Sequence, residues 1–168
     1  MDKKNNKKLW AYTAVGAIII LITLFSIKWI SPSKPLGDKT VAHIYAYDSY
    51  NLLCAALYRG EPIIALNPDR RFDDEFIFEY DSNAGLYTIS KMIYGIRYYI
   101  CLNEDNTLKL SENCNKSGCL WKIVRQGNTM YYLIFNPENN YALSRIDGLF
   151  FNALPLNEDD DRMYLRLE

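Results

Sequence analysis

Three stretches of the chain repeat one short pattern, and this repeat limits the possible folds more than any other feature. In residues 62–67, 98–103 and 139–144, a short apolar run is followed by a small residue, then Leu, then Asn or Ser. The three leucines, Leu66, Leu102 and Leu143, are 36 and 41 residues apart. A period of about 40 residues predicts a fold built from three similar units.

A second motif follows each leucine, as a triplet of two large apolar residues around a third residue. The triplets begin at Phe76, Trp121 and Met163, with spacings of 45 and 42 residues. Between the motifs lie apolar runs of strand length and turn pairs such as Arg59-Gly60, which together indicate about four short strands in each unit. The predicted strands include 43–47, 52–57, 86–92 and 130–135.

Twelve strands in three units, with repeated apolar residues meeting on a central axis, predict an all-β chain folded as a β-trefoil. The content of 14 Tyr, 7 Phe and 3 Trp suits such a fold, because aromatic side chains pack well on pleated sheets. An ordinary β-sandwich with accidental internal similarity is the alternative.

The N-terminal region predicts one transmembrane helix. Residues 9–27 carry no charge over 19 positions, enough for a helix of roughly 28 Å, and four lysines precede them. The positive-inside rule keeps those lysines in the cytoplasm. We therefore predict a cytoplasmic tail at 1–8, a signal anchor at 9–30, a linker at 31–40 and an ectodomain at 41–168.

The predicted protein is a single-pass type II membrane protein, with its C-terminal domain at a cell surface, in a secretory lumen or on a viral envelope. A cleaved secretory signal is the alternative. The segment after the apolar run, Ser26 to Pro32, lacks the small-x-small pattern of a cleavage site.

Charge and residue type argue against two classes of function. Beyond residue 30 the chain holds 14 basic and 19 acidic residues, a net charge of −5, whereas a nucleic-acid partner requires a basic patch. The single histidine, His43, has no nucleophile motif around it, and the acidic clusters at 73–74 and 158–161 lack the spacing of a calcium loop. We predict neither an enzyme nor a bound metal or cofactor.

The second unit resembles the ricin B-type lectin repeat. Cys101-Leu102-Asn103, Cys114-Asn115 and Cys119-Leu120-Trp121 follow that family's Cys-Leu-Asp, Cys-Asn and Gln-x-Trp. Asn103 replaces the sugar-binding Asp of those lectins, and Cys119 replaces the Gln. The apolar skeleton is also similar to fibroblast growth factors and interleukin-one cytokines. The resemblance implies a binding role, with a glycan or a protein receptor as the ligand.

We expect a binding module for carbohydrates or glycoconjugates, or else a protein-interaction domain of a cytokine-like or envelope-complex kind. A purely structural tethered domain is a third reading. The candidate ligand-binding residues lie on repeat turns, with the second unit dominant. They are Asn103, Asp105, Asn113, Asp147 and Phe150, with Phe151 beside the last. Trp121 takes the position of Phe76 and Met163 and is therefore expected in the core rather than under a sugar.

Four cysteines, Cys54, Cys101, Cys114 and Cys119, predict disulfides if the domain lies in an oxidising compartment. A bond between Cys114 and Cys119 would close the polar turn between them, and the lectin resemblance implies Cys101 with Cys114. Cys101 is equally compatible with a buried thiol. Asn115 begins an Asn-Lys-Ser glycosylation acceptor.

Overall fold

The computed structural model describes residues 34–47, 51–67, 74–114, 117–146 and 151–168. Within these ranges the chain is all-β, as predicted, with thirteen strands and two one-turn 3-10 helices at Ser117–Cys119 and Asp161–Met163. The strands are β1 (Lys39–Ala42), β2 (Ile44–Ala46), β3 (Leu52–Tyr58), β4 (Glu61–Asn67), β5 (Phe76–Asp81), β6 (Leu86–Ile93), β7 (Ile96–Leu102), β8 (Leu108–Ser111), β9 (Lys122–Arg125), β10 (Tyr131–Asn136), β11 (Tyr141–Arg145), β12 (Phe151–Pro155) and β13 (Tyr164–Leu167).

Seven of the strands form a ring through antiparallel pairings, one isolated bridge and one chain connection. One sheet supplies β1, β5 and β6, and the other supplies β9, β10, β13 and β2. The ring passes from β6 to β9 through a bridge in which Tyr87 and Trp121 exchange two backbone hydrogen bonds of 2.8 Å. On the other side β1 and β2 are consecutive in the chain, separated by His43 alone.

Three hairpins extend from this ring, and we call them the outer hairpins: β3–β4, β7–β8 and β11–β12. The first strand of each pairs with a ring strand, β2, β6 or β10. The outer strand β4 lies near both β8 and β12, so the three hairpins meet one another.

The residues singled out by the repeat form the core. Leu66, Leu102 and Leu143 are all buried. So are Phe76, Trp121 and Met163, which confirms that Trp121 is a core residue rather than an exposed platform.

The predicted alignment of the first unit is wrong by one strand. Leu102 in β7 and Leu143 in β11 lie in the first strand of an outer hairpin, but Leu66 lies in the second strand of its hairpin, β4. In the corresponding strand, β3, the residue paired with Leu66 is Leu53, which is also buried. Both β3 and β4 are rich in aliphatic residues, so the sequence pattern alone could not distinguish them.

The folded region begins before Val41, because contacts already fix residues that were expected to be linker. The Leu36 amide donates to the Tyr87 hydroxyl at 3.3 Å, and that hydroxyl donates to the Gly37 carbonyl at 3.0 Å. The compact unit starts at Lys34. The predicted anchor, 9–30, lies outside the described residues, and within the described part of the chain no helix has the length and apolarity needed to cross a membrane.

The disulfide joins Cys101 to Cys119, with the Cα atoms 4.1 Å apart, so both predicted pairings are wrong. The 3-10 turn at 117–119 lies against β7 because Gly118 has no side chain: a Cβ there would lie 2.9 Å from the Leu102 carbonyl oxygen. This close approach brings Cys119, rather than Cys114, to the buried Cys101. Cys114 is a half-buried thiol, and burial raises its pKa.

Candidate functional site

The turn of the outer hairpin β7–β8 holds the best-placed polar residues, and backbone hydrogen bonds fix its shape. The Asn103 amide donates to the Thr107 carbonyl at 2.8 Å, and the Asn106 amide donates to the Asn103 carbonyl at 3.0 Å. Asn106 adopts a left-handed conformation with φ of 62°, which Asn tolerates better than most residues. The turn therefore holds its side chains in defined positions.

Side chains complete the turn around Thr107. Asp105 Oδ1 accepts from the Thr107 hydroxyl at 2.6 Å and from the Thr107 amide at 3.0 Å. Asn103 Nδ2 donates to the same hydroxyl oxygen at 3.2 Å. The hydrogen bond from the Thr107 side chain, followed by the one from its amide, lowers the pKa of Asp105, which is fully exposed. Asp105 is therefore a carboxylate at neutral pH, with Oδ2 still able to accept from a ligand.

These residues line an open pocket of about 390 Å³. Its walls are Leu102, Asn103, Glu104, Asp105 and Lys109. The lining thus combines an amide, two carboxylates, one ammonium group and one apolar side chain. Such a wall supplies hydrogen-bond donors and acceptors together with charges of both signs over a small surface.

The structure brings Asn103 and Asp105 together, but it separates Asn113 from them. Asn113 follows β8 at the end opposite the turn, where its backbone amide donates a 3.3 Å hydrogen bond to the Ser111 hydroxyl oxygen. Asp147, Phe150 and the acceptor Asn115 lie outside the described residues. Phe151 is buried in β12.

Sequence reasoning missed Glu104 and Lys109. A usable signal existed for Lys109, which alternates with Leu108 and Leu110 along β8 and so points away from the buried face. Glu104 was not singled out, although it lies between two residues that were.

A second pocket of about 260 Å³ lies where the three outer hairpins meet. It is lined by Pro62, Ile63, Ile64, Leu108, Lys109, Leu110, Phe151 and Asn152. Asn152 ties two hairpins together here, since its Oδ1 accepts from the Leu108 amide at 2.8 Å. Lys109 lines both pockets.

The acidic segment 158–161 is organised by its own neighbours. Asp160 caps the 3-10 helix at 161–163 by accepting from the Arg162 amide at 3.0 Å, and it also pairs with the Arg162 guanidinium at 2.7 Å. The side-chain bond to Arg162 is the main cause that lowers the pKa of Asp160. This carboxylate therefore has a local structural role.

No family model and no curated protein matches the chain. Solved structures that share its fold include three that we compare with it. A complex of lysenin with phosphocholine gives a TM-score of 0.57 at 18% identity, covering 79% of this chain and 45% of that one. A lysenin pore gives 0.56 at 18% identity, with 79% and 47% coverage. A GH43 β-1,3-galactosidase gives 0.58 at 15% identity, with 76% and 26% coverage. The chain spans less than half the length of each of these proteins, and at such identities the likeness concerns the fold alone.

Proposed function

We propose that the chain is a carbohydrate- or glycoconjugate-binding module whose site is the β7–β8 pocket. The observation that carries the proposal is that Asn103 and Asp105, singled out from the sequence, line one pocket together with Glu104 and Lys109. Sugars and polar headgroups present closely spaced donors and acceptors, and this pocket supplies complementary groups of both kinds.

Each side chain has a chemical role in this proposal. Asn103 donates one side-chain N–H to the Thr107 hydroxyl oxygen. Its Oδ1 and its other N–H remain for adjacent hydroxyl groups of a ligand. Asp105 keeps Oδ2 as an acceptor, and Lys109 supplies a charged donor. Since the pocket lining includes no aromatic ring, we expect weak, millimolar-range affinity for a single sugar.

A phosphocholine-like headgroup is a second candidate ligand. Glu104 and Lys109 place opposite charges on the walls of one pocket, which suits a zwitterion. The fold neighbour in complex with phosphocholine makes this ligand worth including among the probes.

The fold within this proposal is a β-trefoil. Its support is the order of the strands, in which β2–β5, β6–β9 and β10–β13 each contain a ring strand, an outer hairpin and a second ring strand. The buried residues Phe78, Ile123 and Leu165 recur in the last strand of each unit at spacings of 45 and 42 residues.

The proposal also includes an uncleaved anchor at 9–30 that holds the domain outside the cytoplasm, and a binding role without catalysis. The uncharged run and the preceding lysines support the anchor. Protease treatment of intact cells should remove the domain and leave a membrane-bound stub. A mature N-terminus near residue 31 would show a cleaved signal instead.

A binding array tests the site. Full-length protein in nanodiscs would be applied to arrayed glycans and to immobilised phosphocholine. Asn103→Ala and Lys109→Ala should each lower retention at least fivefold, because each removes polar groups from the pocket wall. Asn113→Ala, on the same hairpin but outside the pocket, is the matched control and should bind as the parent does. Thermal melts would show that all variants are folded.

Two results would contradict the proposal. Undiminished retention by Asn103→Ala and Lys109→Ala would place the site elsewhere. If the parent protein binds none of the arrayed glycans and no phosphocholine, the lectin hypothesis is wrong. The protein-interaction domain is then the better reading.

A further inference from the structure

The second pocket is built by all three outer hairpins. Residues 62–64 of β4, 108–110 of β8 and 151–152 of β12 each supply part of its wall. Its volume of about 260 Å³ lies below the roughly 300–1,000 Å³ of sites that hold drug-sized ligands. A ligand that fits this pocket must therefore be small.

Asn152 has a fixed orientation in the pocket wall. Its Oδ1 accepts hydrogen bonds from the backbone amides of Leu108 at 2.8 Å and Ala153 at 2.9 Å. A backbone N–H can only donate, so the side-chain atom that faces these two amides is the oxygen. Both acceptor positions of Oδ1 are thus filled, and Nδ2 makes no hydrogen bond to the residues that the structure describes. The Asn152 side chain therefore offers a ligand donors only.

Lys109 adds a positive charge to the same wall. It is exposed, and it adjoins Leu108, whose amide donates to Asn152. Its ammonium group forms no ion pair and no ring contact within the described part of the chain. The described lining of this pocket includes no carboxylate, since Glu104 and Asp105 line the β7–β8 pocket instead. A positive charge and several N–H donors thus remain for an anion.

Apolar side chains accompany these donors. Ile63 is 39% exposed, and Pro62, Ile64 and Leu108 are half-buried, so all four keep some accessible surface while they line the pocket. A short hydrocarbon chain that covers this surface removes it from water, which favours binding.

This combination of groups distinguishes between classes of ligand. A sugar hydroxyl both donates and accepts, whereas the side chains of Asn152 and Lys109 only donate here. An ionised carboxylate only accepts, and its hydrogen bonds to an amide and to an ammonium group are charge-assisted. The second pocket therefore suits a different chemistry from the β7–β8 pocket, where carboxylates are part of the wall.

We propose that the second pocket binds a small aliphatic monocarboxylate. The carboxylate accepts hydrogen bonds from Asn152 Nδ2 and Lys109 Nζ, and the hydrocarbon chain lies against Ile63 and Leu108. The proposal does not depend on the glycan or headgroup site, because Asn152 and the residues of β4 do not line the β7–β8 pocket. Lys109 is the residue that the two sites share.

Titration of the full-length protein with hexanoate, followed by NMR, tests the proposal. The isotope-labelled protein would be reconstituted in nanodiscs, and the backbone amides of Ile63 and Leu108 would report on the pocket. Hexanoate should shift both signals in a saturable manner. Acetate, which lacks the chain, and 1-hexanol, which lacks the charge, should each bind at least fivefold more weakly than hexanoate.

Asn152→Asp is the diagnostic variant. Its carboxylate can still accept from the amides of Leu108 and Ala153, while a negative charge replaces the donor that faces the ligand. This variant should bind hexanoate at least tenfold more weakly, with a melting temperature no lower than that of the parent. Asn113→Asp introduces the same charge at an exposed position after β8, outside both pockets, and should bind hexanoate as the parent does.

Lys109→Gln is a second variant, which leaves Asn152 and its hydrogen bonds in place, and it should weaken hexanoate binding at least fivefold. The proposal is overturned if the parent shows no saturable shift, or if either Asn152→Asp or Lys109→Gln binds hexanoate as tightly as the parent. It is also overturned if acetate or 1-hexanol binds as tightly as hexanoate, because the pocket would then not recognise a carboxylate joined to an apolar chain.

Discussion

At the scale of single residues, Asn136 shows how one buried amide can join distant parts of the chain. Its Nδ2 donates to the carbonyls of Ser117 at 2.8 Å and Leu120 at 2.9 Å. Its Oδ1 accepts from the amides of Glu138 at 3.1 Å and Asn139 at 3.0 Å. Two donors and two acceptor positions are the full capacity of this side chain, so every polar atom is satisfied inside the core.

We expect Asn136→Asp to destabilise the fold by about 2–5 kcal/mol, because a carboxylate lacks both donors and leaves two buried carbonyls facing a negative charge. Urea denaturation followed by circular dichroism measures the change. Asn139→Asp, at an exposed position of the adjoining turn, should change stability by less than about 0.5 kcal/mol. If Asn136→Asp and the parent are equally stable, the four hydrogen bonds of the Asn136 side chain do not stabilise the turn that follows β10.

At the scale of elements, the β7–β8 hairpin couples the candidate site to the core. The 117–121 segment packs along β7 through the Cys101–Cys119 bond, the close approach of Gly118 to Leu102, and a 2.9 Å hydrogen bond from Trp121 Nε1 to the Ile100 carbonyl. The pocket is built on the turn that directly follows this supported strand. Its side chains are consequently held by a rigid element rather than by a free loop.

The same hairpin predicts a titration. Thr107→Val should raise the pKa of Asp105 toward that of an ordinary Asp, because it removes the largest stabilising hydrogen bond to the carboxylate. In the parent the folded pKa is depressed, so any stability this group adds is present above its unfolded pKa and is lost as pH falls through the folded one. NMR titration of the Asp105 carboxyl in the parent and in Thr107→Val measures the folded-state pKa in each protein. An unchanged pKa would mean that the hydrogen bond from the backbone amide of residue 107 is enough to keep it low.

At the scale of the whole molecule, the ring of strands is closed at two narrow places. One is the Tyr87–Trp121 bridge, and the other is His43, which connects β1 to β2 and exchanges backbone hydrogen bonds of 2.7 and 3.2 Å with Glu168 after β13. Both sheets depend on these connections to share one core. Loss of packing at either place should therefore affect the entire domain.

Trp121→Ala should cost about 3–5 kcal/mol, since it deletes a fully buried indole at the first of these places. Both sheets should lose stability in a single cooperative transition. Hydrogen exchange of amides in β5 and in β12, read separately, measures whether they respond together. Protection retained in β12 but lost in β5 would show that the two sheets unfold independently.

Much of this arrangement could be predicted from the sequence, because the deciding signals are local. The repeat of about 40 residues indicates three units, and apolar periodicity identifies Leu102, Trp121 and Leu143 as core. Asn103 and Asp105 were singled out as polar residues on one predicted turn, and chain connectivity alone keeps them near each other.

Tertiary structure decided the features that depend on distances between remote segments. The disulfide partner of Cys101 follows from how closely a glycine turn approaches β7, and no spacing rule contains that distance. Lys109 lines the pocket because the hairpin register pairs it with Cys101, two residues before Asn103. Strand pairing decides whether β3 or β4 corresponds to β7 and β11, since β3 and β4 are alike in composition. Local patterns determine which residues are buried, whereas packing determines which of them meet.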